Sequence, residues 1–362
     1  MDINAAWENF LSDSPNENKE NSEISLTTTD FKPHCSDIYI STQTKIANLN
    51  QEINLYNIFW QLDVLPYQHR GEGIIKKQMK VNCIDLNSSR ELDKKIKETT
   101  QYISVDTISK INNPNGRKVQ YKDVRKINIG LCKKDLTSYR IQKRGAFYNC
   151  FVLILRIKID EKFKEFHIKV FNTGKLELPG IQNTNDLITV LKKIKNILQP
   201  FVKTELTYNY DNIKTVLINS NFKCNYYIDR DVLANILKYD YNLHVVYDPC
   251  SYPGIQCKFY YNTEYKDNNG VCSCKNKCTK SSKSLNKKCC EISFMIFRTG
   301  SVLIVGKCNE TILHHVYNFI KNILIKKYSM FIIKTPDIEK KVKQKKLWKK
   351  TIYIDSNYTT NL

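Results

Sequence analysis

The sequence predicts an α+β protein organised around one antiparallel sheet, in which a strand–hairpin–strand–helix unit occurs twice. A repeat at fixed spacing is the first sign. Phe171-Asn172-Thr173-Gly174 and Phe297-Arg298-Thr299-Gly300 lie 126 positions apart (297 − 171), as do Gly180 and Gly306. The helix ends Ile194-Lys195-Asn196-Ile197-Leu198 and Ile320-Lys321-Asn322-Ile323-Leu324 keep the same offset with no gap. A register shared across several elements marks a duplicated supersecondary unit. The second sign is alternation: Phe166, Ile168 and Val170, and again Ile292, Phe294 and Ile296, recur with a strand period of two. Gly174 and Gly300 then supply the positive φ of a tight turn back into strands 176–178 and 302–305. The third is a pair of apolar helical stripes, Leu187, Val190, Leu191, Ile194, Ile197 and Leu198 against Leu313, Val316, Tyr317, Ile320, Ile323 and Leu324. Each stripe needs a sheet face, which sends Phe171 and Phe297 to the opposite, helix-free face.

Taken in order, residues 1–35 are polar, rich in Asn, Ser and Thr, and bury little, so a disordered tail is expected. A strand is expected over 37–46, and Asn54 can cap a short helix through Leu55, Ile58, Phe59 and Leu62 that Pro66 ends. A charged stretch at about 71–144 reads as an insertion, with strands at 74–81 and 102–104 and a turn at Asn115-Gly116. The apolar run Phe151-Val152-Leu153-Ile154-Leu155 then leads into the first hairpin. The second copy opens with a strand over 215–220, a helix started by Asp229 or Asp231, and a turn into a strand over 255–261. The resulting organisation is a first repeat at 36–203 interrupted by the insertion, a second at 212–332 with a cysteine-rich loop at 272–290, and a basic tail over 333–362.

Fifty-seven Lys and Arg against 36 Asp and Glu give a formal net charge of +21, which favours a polyanionic partner. Solubility alone, or an A+T-rich coding genome, explains the same composition. No apolar run reaches the length of a membrane span, and Met1 to Leu11 lacks the pattern of a signal peptide. An intracellular protein is expected, so its 13 cysteines read as thiols or metal ligands. Cys272, Cys274 and Cys278, with Cys289 or Cys290, can supply four thiolates to a structural zinc ion that staples the loop; free thiols in an open loop are the alternative. Cys257 and Cys308 read as buried strand-end residues, and His314-His315 as part of an amphipathic helix.

The turn Tyr247-Asp248-Pro249-Cys250-Ser251-Tyr252-Pro253-Gly254, the Phe-x-x-Gly hairpin and the closing helix, in duplicate, resemble the TATA-box-binding protein family. Segments 38–59 and 147–201 resemble the first family repeat and 216–325 the second, about half the chain. Insertion, composition and cysteine loop look most like the divergent TATA-binding-like proteins of large DNA viruses. The resemblance implies a saddle: a curved antiparallel sheet with two long helices on its convex face and a concave face that enters the minor groove. Paired aromatic wedges there partly unstack bases and bend the duplex. It also implies an initiation factor without enzymatic activity, bound to A·T-rich promoter DNA and recruiting a IIB-like factor and RNA polymerase. A monomer with internal pseudo-two-fold symmetry is implied, in a viral factory, the nucleus or the virion.

Matched residue by residue, Phe171 and Phe297 take the hairpin wedge positions and Tyr252 the second wedge of copy two. In copy one that slot falls near Cys150, between Phe147 and Phe151, and Phe147 is taken. Met295, Leu303 and Val305 complete an apolar concave face in copy two. Copy one departs from the pattern, with Lys169 and Glu177 at the equivalent sites. Thr42 and Leu217 fall where the family carries its central asparagines, with Asn219 and Asn221 nearby. Phe171 and Phe297 can also be read as core residues under a covering loop. No phosphate loop, nucleophile elbow or framed carboxylate pair is present. Two alternatives stand: an accessory saddle beside a DNA glycosylase activity, and an adaptor that has lost DNA binding.

Overall fold

The computed structural model describes residues 32–138, 147–265, 267–274, 278 and 289–333. The expected basic tail and nearly all of the expected N-terminal tail lie outside the described residues. Cys35, placed at the tail's end, is instead buried and pairs through its backbone with Cys224, both thiols being free.

Strand β1 (Tyr39–Asn48) leads to helix α1 (Leu55–Gln61), where Asn54 caps by accepting from the Asn57 N–H, and to β2 (Gly73–Cys83). Helix α2 (Leu86–Glu98), strands β3 (Ile103–Asn112) and β4 (Tyr121–Gly130), and the short α3 (Lys133–Thr137) follow. The first repeated unit is β5 (Cys150–Ile159), β6 (Lys162–Phe171), β7 (Lys175–Ile181) and α4 (Thr184–Leu198). Copy two runs β8 (Lys214–Lys223), β9 (Tyr227–Ile228), α5 (Arg230–Asn235), β10 (His244–Val246), β11 (Gly254–Tyr261), β12 (Cys290–Phe297), β13 (Ser301–Gly306) and α6 (Glu310–Lys326). Helix α7 (Tyr328–Phe331) and β14 (Ile332–Ile333) close it, β14 pairing with β9.

Twelve strands form one antiparallel sheet in the order β10-β11-β12-β13-β8-β1-β7-β6-β5-β2-β4-β3. Outward from the β8–β1 seam the two halves match: β1, β7, β6, β5 and β2 on one side, β8, β13, β12, β11 and β10 on the other. Gly174 and Gly300, at φ 76° and 77°, close the two hairpins. A Cβ on Gly174 would meet the Gln51 carbonyl oxygen at 2.2 Å, so no other residue fits that turn.

The α4 stripe packs on Ile168, Val170, Leu176 and Leu178, and the α6 stripe on Phe294, Ile296, Val302 and Ile304. Gln43 in β1 pairs with Ile181 on one side and Ile218 on the other, and these belong to the two cores. Paired residues point to the same side, so both long helices cover one face. Asn183 and Asn309 cap α4 and α6, accepting from the N–H of Asp186 and Ile312.

The insertion differs from its expected form. Strand β2 is the copy-one counterpart of β10, which has only three residues, so the added segment begins after Cys83 rather than near 71. It widens the sheet by β4 and β3 instead of forming an irregular stretch. Charged residues hide its pattern because they are used structurally: Asp123, fully buried, takes the Arg125 guanidinium and the Ser89 hydroxyl, fastening α2 to β4. The Arg125 guanidinium holds the Asp123 carboxyl below the usual range.

Candidate nucleic-acid interface and metal centre

Register fixes which side chains share the open face, the one the long helices leave free. At its centre Thr42 pairs with Asn219 and Thr44 with Leu217. The Asn219 amide donates to Thr42 Oγ1 at 3.2 Å and the Asn221 amide to Ser41 Oγ at 2.8 Å. A polar seam thus separates the two copies.

In copy two, Met295 lies opposite Leu303, Val305 opposite Asn219, and Phe297 opposite Gly254. Met295, Leu303 and Val305 are half-buried, as an apolar contact surface requires. Phe297 corrects its expected place as an exposed wedge, being only 1 % exposed. A Cβ built on Gly254 would meet its ring at 2.7 Å, so the ring lies across the bare glycine backbone. Tyr252 packs beside it at 6.0 Å between ring centroids and reaches Met295 Sδ at 3.6 Å. Burial pushes the Tyr252 hydroxyl up to about 12.

Copy one fills the same positions differently. Phe171 lies opposite Cys150, whose Cβ occupies the space Gly254 leaves, and the ring stays half-buried with Lys175 Nζ 4.7 Å from its centroid. Lys169 pairs with Glu177 in register and by an ion pair at 2.5 Å. Glu177 therefore presents a compensated charge. Because Cys150 and Gly254 hold equivalent positions, the counterpart of Tyr252 is Tyr148, two residues before the strand, and not Phe147. Phe147 lies beside it, 60 % exposed, with Lys169 Nζ 5.5 Å from its ring; Tyr148 is 53 % exposed with Lys80 Nζ at 3.7 Å. Alignment on Gly254 rather than Arg156 finds Tyr148 in the sequence; Lys80 and Lys175 leave no such signal. The outer end of this half is covered, since Ile75, Cys132 and Ile154 cluster there and Lys76 pairs with Asp135 at 2.7 Å.

Between β11 and β12 the four expected cysteines converge. The sulfurs of Cys272, Cys274, Cys278 and Cys289 all lie within 4.8 Å of one another. Sγ–Sγ distances are 3.5 Å for Cys274–Cys289, 3.7 Å for Cys272–Cys289 and 4.0 Å for Cys274–Cys278. A tetrahedral ion with metal–sulfur bonds of about 2.3 Å sets its ligands roughly 3.8 Å apart, so the donor set fits such a metal. Cys290 is excluded because its thiol turns to the Lys307 carbonyl at 2.6 Å. Burial acts to raise the Cys272 thiol, but the backbone N–H groups of Cys278 and Cys274 hold it down to about 7, whereas burial and the neighbouring sulfurs push the Cys289 thiol well above its ordinary value. The loop is anchored to the fold: Asn268 donates to the Asn262 and Tyr265 carbonyls, and His315 of α6 bonds the Asn268 carbonyl at 2.9 Å. His315 is thus a brace for the loop, while His314 is exposed.

No protein-family model matches the chain. It is similar to a "TATA-box-binding protein-like" protein of Acanthamoeba polyphaga mimivirus, 27 % identical over 194 residues, 50 % of this chain and 49 % of the relative. The match spans about half the relative's length. A solved structure of Methanococcus jannaschii TBP aligns with 81 % of this chain and 99 % of its own, at 12 % identity and a TM-score of 0.36.

Proposed function

We propose that the protein is a TATA-box-binding-like transcription initiation factor that holds A·T-rich promoter DNA on its open face, in the minor groove, and bends it. The observation that carries this is the duplicated open face itself. Two equivalent halves meet at a polar seam with aromatic residues at matching positions, Tyr148 and Phe171 against Tyr252 and Phe297, while the apolar Met295 and Leu303 of copy two are replaced in copy one by the Lys169–Glu177 pair. Similarity to a viral TATA-box-binding protein-like protein and the net charge of +21 support the same reading. Minor-groove binding wants apolar packing against sugars together with cations for phosphates, and the two copies divide these roles. Recruitment of a IIB-like factor and RNA polymerase, by a monomer working in a viral factory or the nucleus, completes the proposal.

The test is a binding and bending series on short A·T-rich and G·C-rich duplexes at fixed salt, with base release followed in the same samples. Preferential binding and bending of A·T-rich duplexes without base release is expected. Base release would move the protein to the glycosylase class, and no binding to any duplex would leave the adaptor reading.

The cysteine tetrad is proposed to hold one structural zinc ion that fixes the β11–β12 loop. Protein purified without chelator should carry about one zinc per chain; Cys278→Ser should lose it and Cys290→Ser should keep it. Stoichiometry near zero in the unsubstituted protein would end this assignment.

A further inference from the structure

Strand β2 runs on to Cys83, but its register with β5 ends at Met79↔Phe151. From Lys80 onward it pairs only with β4, and the chain before β5 peels away at Tyr148. The gap is an open cleft of about 430 Å³ lined by Leu55, Tyr56, Met79, Lys80, Asn82 and Tyr148. That volume lies at the low end of the range for small-molecule sites. Tyr148, at 53 % exposed, offers a ring with Lys80 over it, and Tyr56 on the far wall carries Lys95 at 4.3 Å. Leu55, Tyr56 and Met79 form the wall on the helix-covered side, and on the open-face side Phe171 with Lys175, and Phe147 with Lys169, which is paired with Glu177, continue the alternation of ring and ammonium. Among the described residues neither Lys80 nor Lys175 has a carboxylate partner. At the equivalent positions of copy two, Tyr252 and Phe297 pack on each other.

We propose that this cleft takes one unpaired nucleobase and that the ring-and-lysine edge beside it carries the adjoining single strand. Exposed rings stack on any base face, nearby ammonium groups meet phosphates, and the free edge of β2 supplies backbone donors and acceptors for a base edge. The inference deepens the nucleic-acid reading of the open face and rests on it for the class of ligand. It adds a task that closed duplex binding does not include: copy one grips a locally melted segment while copy two packs against duplex.

Fluorescence anisotropy at fixed salt would compare a closed A·T-rich duplex, the same duplex with a four-base unpaired bubble, and a single-stranded oligothymidylate. The quantity read is the bubble-to-closed affinity ratio. The full chain should favour the bubble by at least about fivefold, the low end of one base–ring stack. Tyr148→Ala should bring the ratio to about one, Tyr148→Phe should keep it, and Lys80→Gln should lower it in part. A ratio near one for the unsubstituted chain, or a ratio that Tyr148→Ala leaves unchanged, would overturn the proposal. Bubble and single-strand binding without closed-duplex binding would support the cleft while removing the promoter reading. Closed-duplex binding without bubble preference would do the reverse.

Discussion

Copy one and copy two place the same strands in the same order and give their open faces opposite chemistry. For the hairpin phenylalanines the divergence traces to one missing side chain. Gly254 leaves room for the Phe297 ring to lie down on β11 under Tyr252, whereas Cys150 keeps Phe171 half in solvent, where it gathers an ammonium group. The covered face shows a second contrast. Lys77 is 3 % exposed beneath α1 and donates to the carbonyls of Phe59 and Leu62 at 2.7 and 2.6 Å. Its counterpart by register is Val245, since Lys77 pairs with Leu153 and Val245 with Cys257. Duplication preserved the backbone frame, which the core residues enforce, and left side chains on either face free to diverge.

The largest test of this contrast is truncation of the two hairpin phenylalanines. Phe297→Ala empties a fully buried site and should cost about 3–5 kcal/mol, whereas Phe171→Ala, at a half-buried site, should cost about 1 kcal/mol. Urea unfolding of both variants measures it. Equal losses would mean that Phe297 is not seated as described. DNA binding by Phe297→Ala has to be read after this correction, because the residue supports Tyr252 and Met295 from below.

Next in size is a pH effect confined to copy one. Burial pulls Lys77 from its ordinary 10.5 down to about 8. Between those values Lys77 holds more protons in the unfolded chain than in the folded one, so its contribution to stability rises as pH climbs from about 8 to 10.5. The two carbonyl bonds favour the charged form, so the gain is at most about 3 kcal/mol. Unfolding of the wild type and Lys77→Met at pH 7.5 and 10.5 isolates it: the wild type should gain on the variant at high pH. A constant difference would show that Lys77 does not titrate between those limits.

How much was legible in the sequence follows from what each feature depends on. The duplication and the two helix stripes could be read because they rest on local periodicity and one unbroken spacing. The cysteine tetrad could be read as a set, but choosing Cys289 over Cys290 required knowing that β12 begins at Cys290 and turns its thiol to Lys307. The seat of Phe297 was not legible, although Pro253-Gly254 stood out as a turn, because it depends on the cross-strand pairing of 254 with 297. Of β3 only the start, at 102–104, was legible, and β4 was masked by Asp123 and Arg125, which bond each other and reach Ser89 and Asp93 of α2. The cleft beside Tyr148 arises where a pairing stops, which no single segment announces.

The smallest expected effect sharpens the electrostatic side of the comparison. Lys169 and Glu177 occupy the positions of Met295 and Leu303, and their ion pair at 2.5 Å neutralises both. Each is partly exposed, so the pair itself contributes about 1 kcal/mol or less to stability, and its loss should not unfold the hairpin. Glu177→Val would restore an apolar residue and release Lys169 toward phosphate. On the proposed interface this should tighten duplex binding several-fold at low salt and steepen the salt dependence by about one counterion. The control is Lys169→Met with Glu177→Val, which makes copy one resemble copy two: it should keep the gain at high salt, where packing dominates, and lose it at low salt. Titrations at two salt concentrations decide it. Glu177→Val with an unchanged salt slope would mean that Lys169 never reaches the nucleic acid, and copy one's contribution would then rest on the aromatic edge alone.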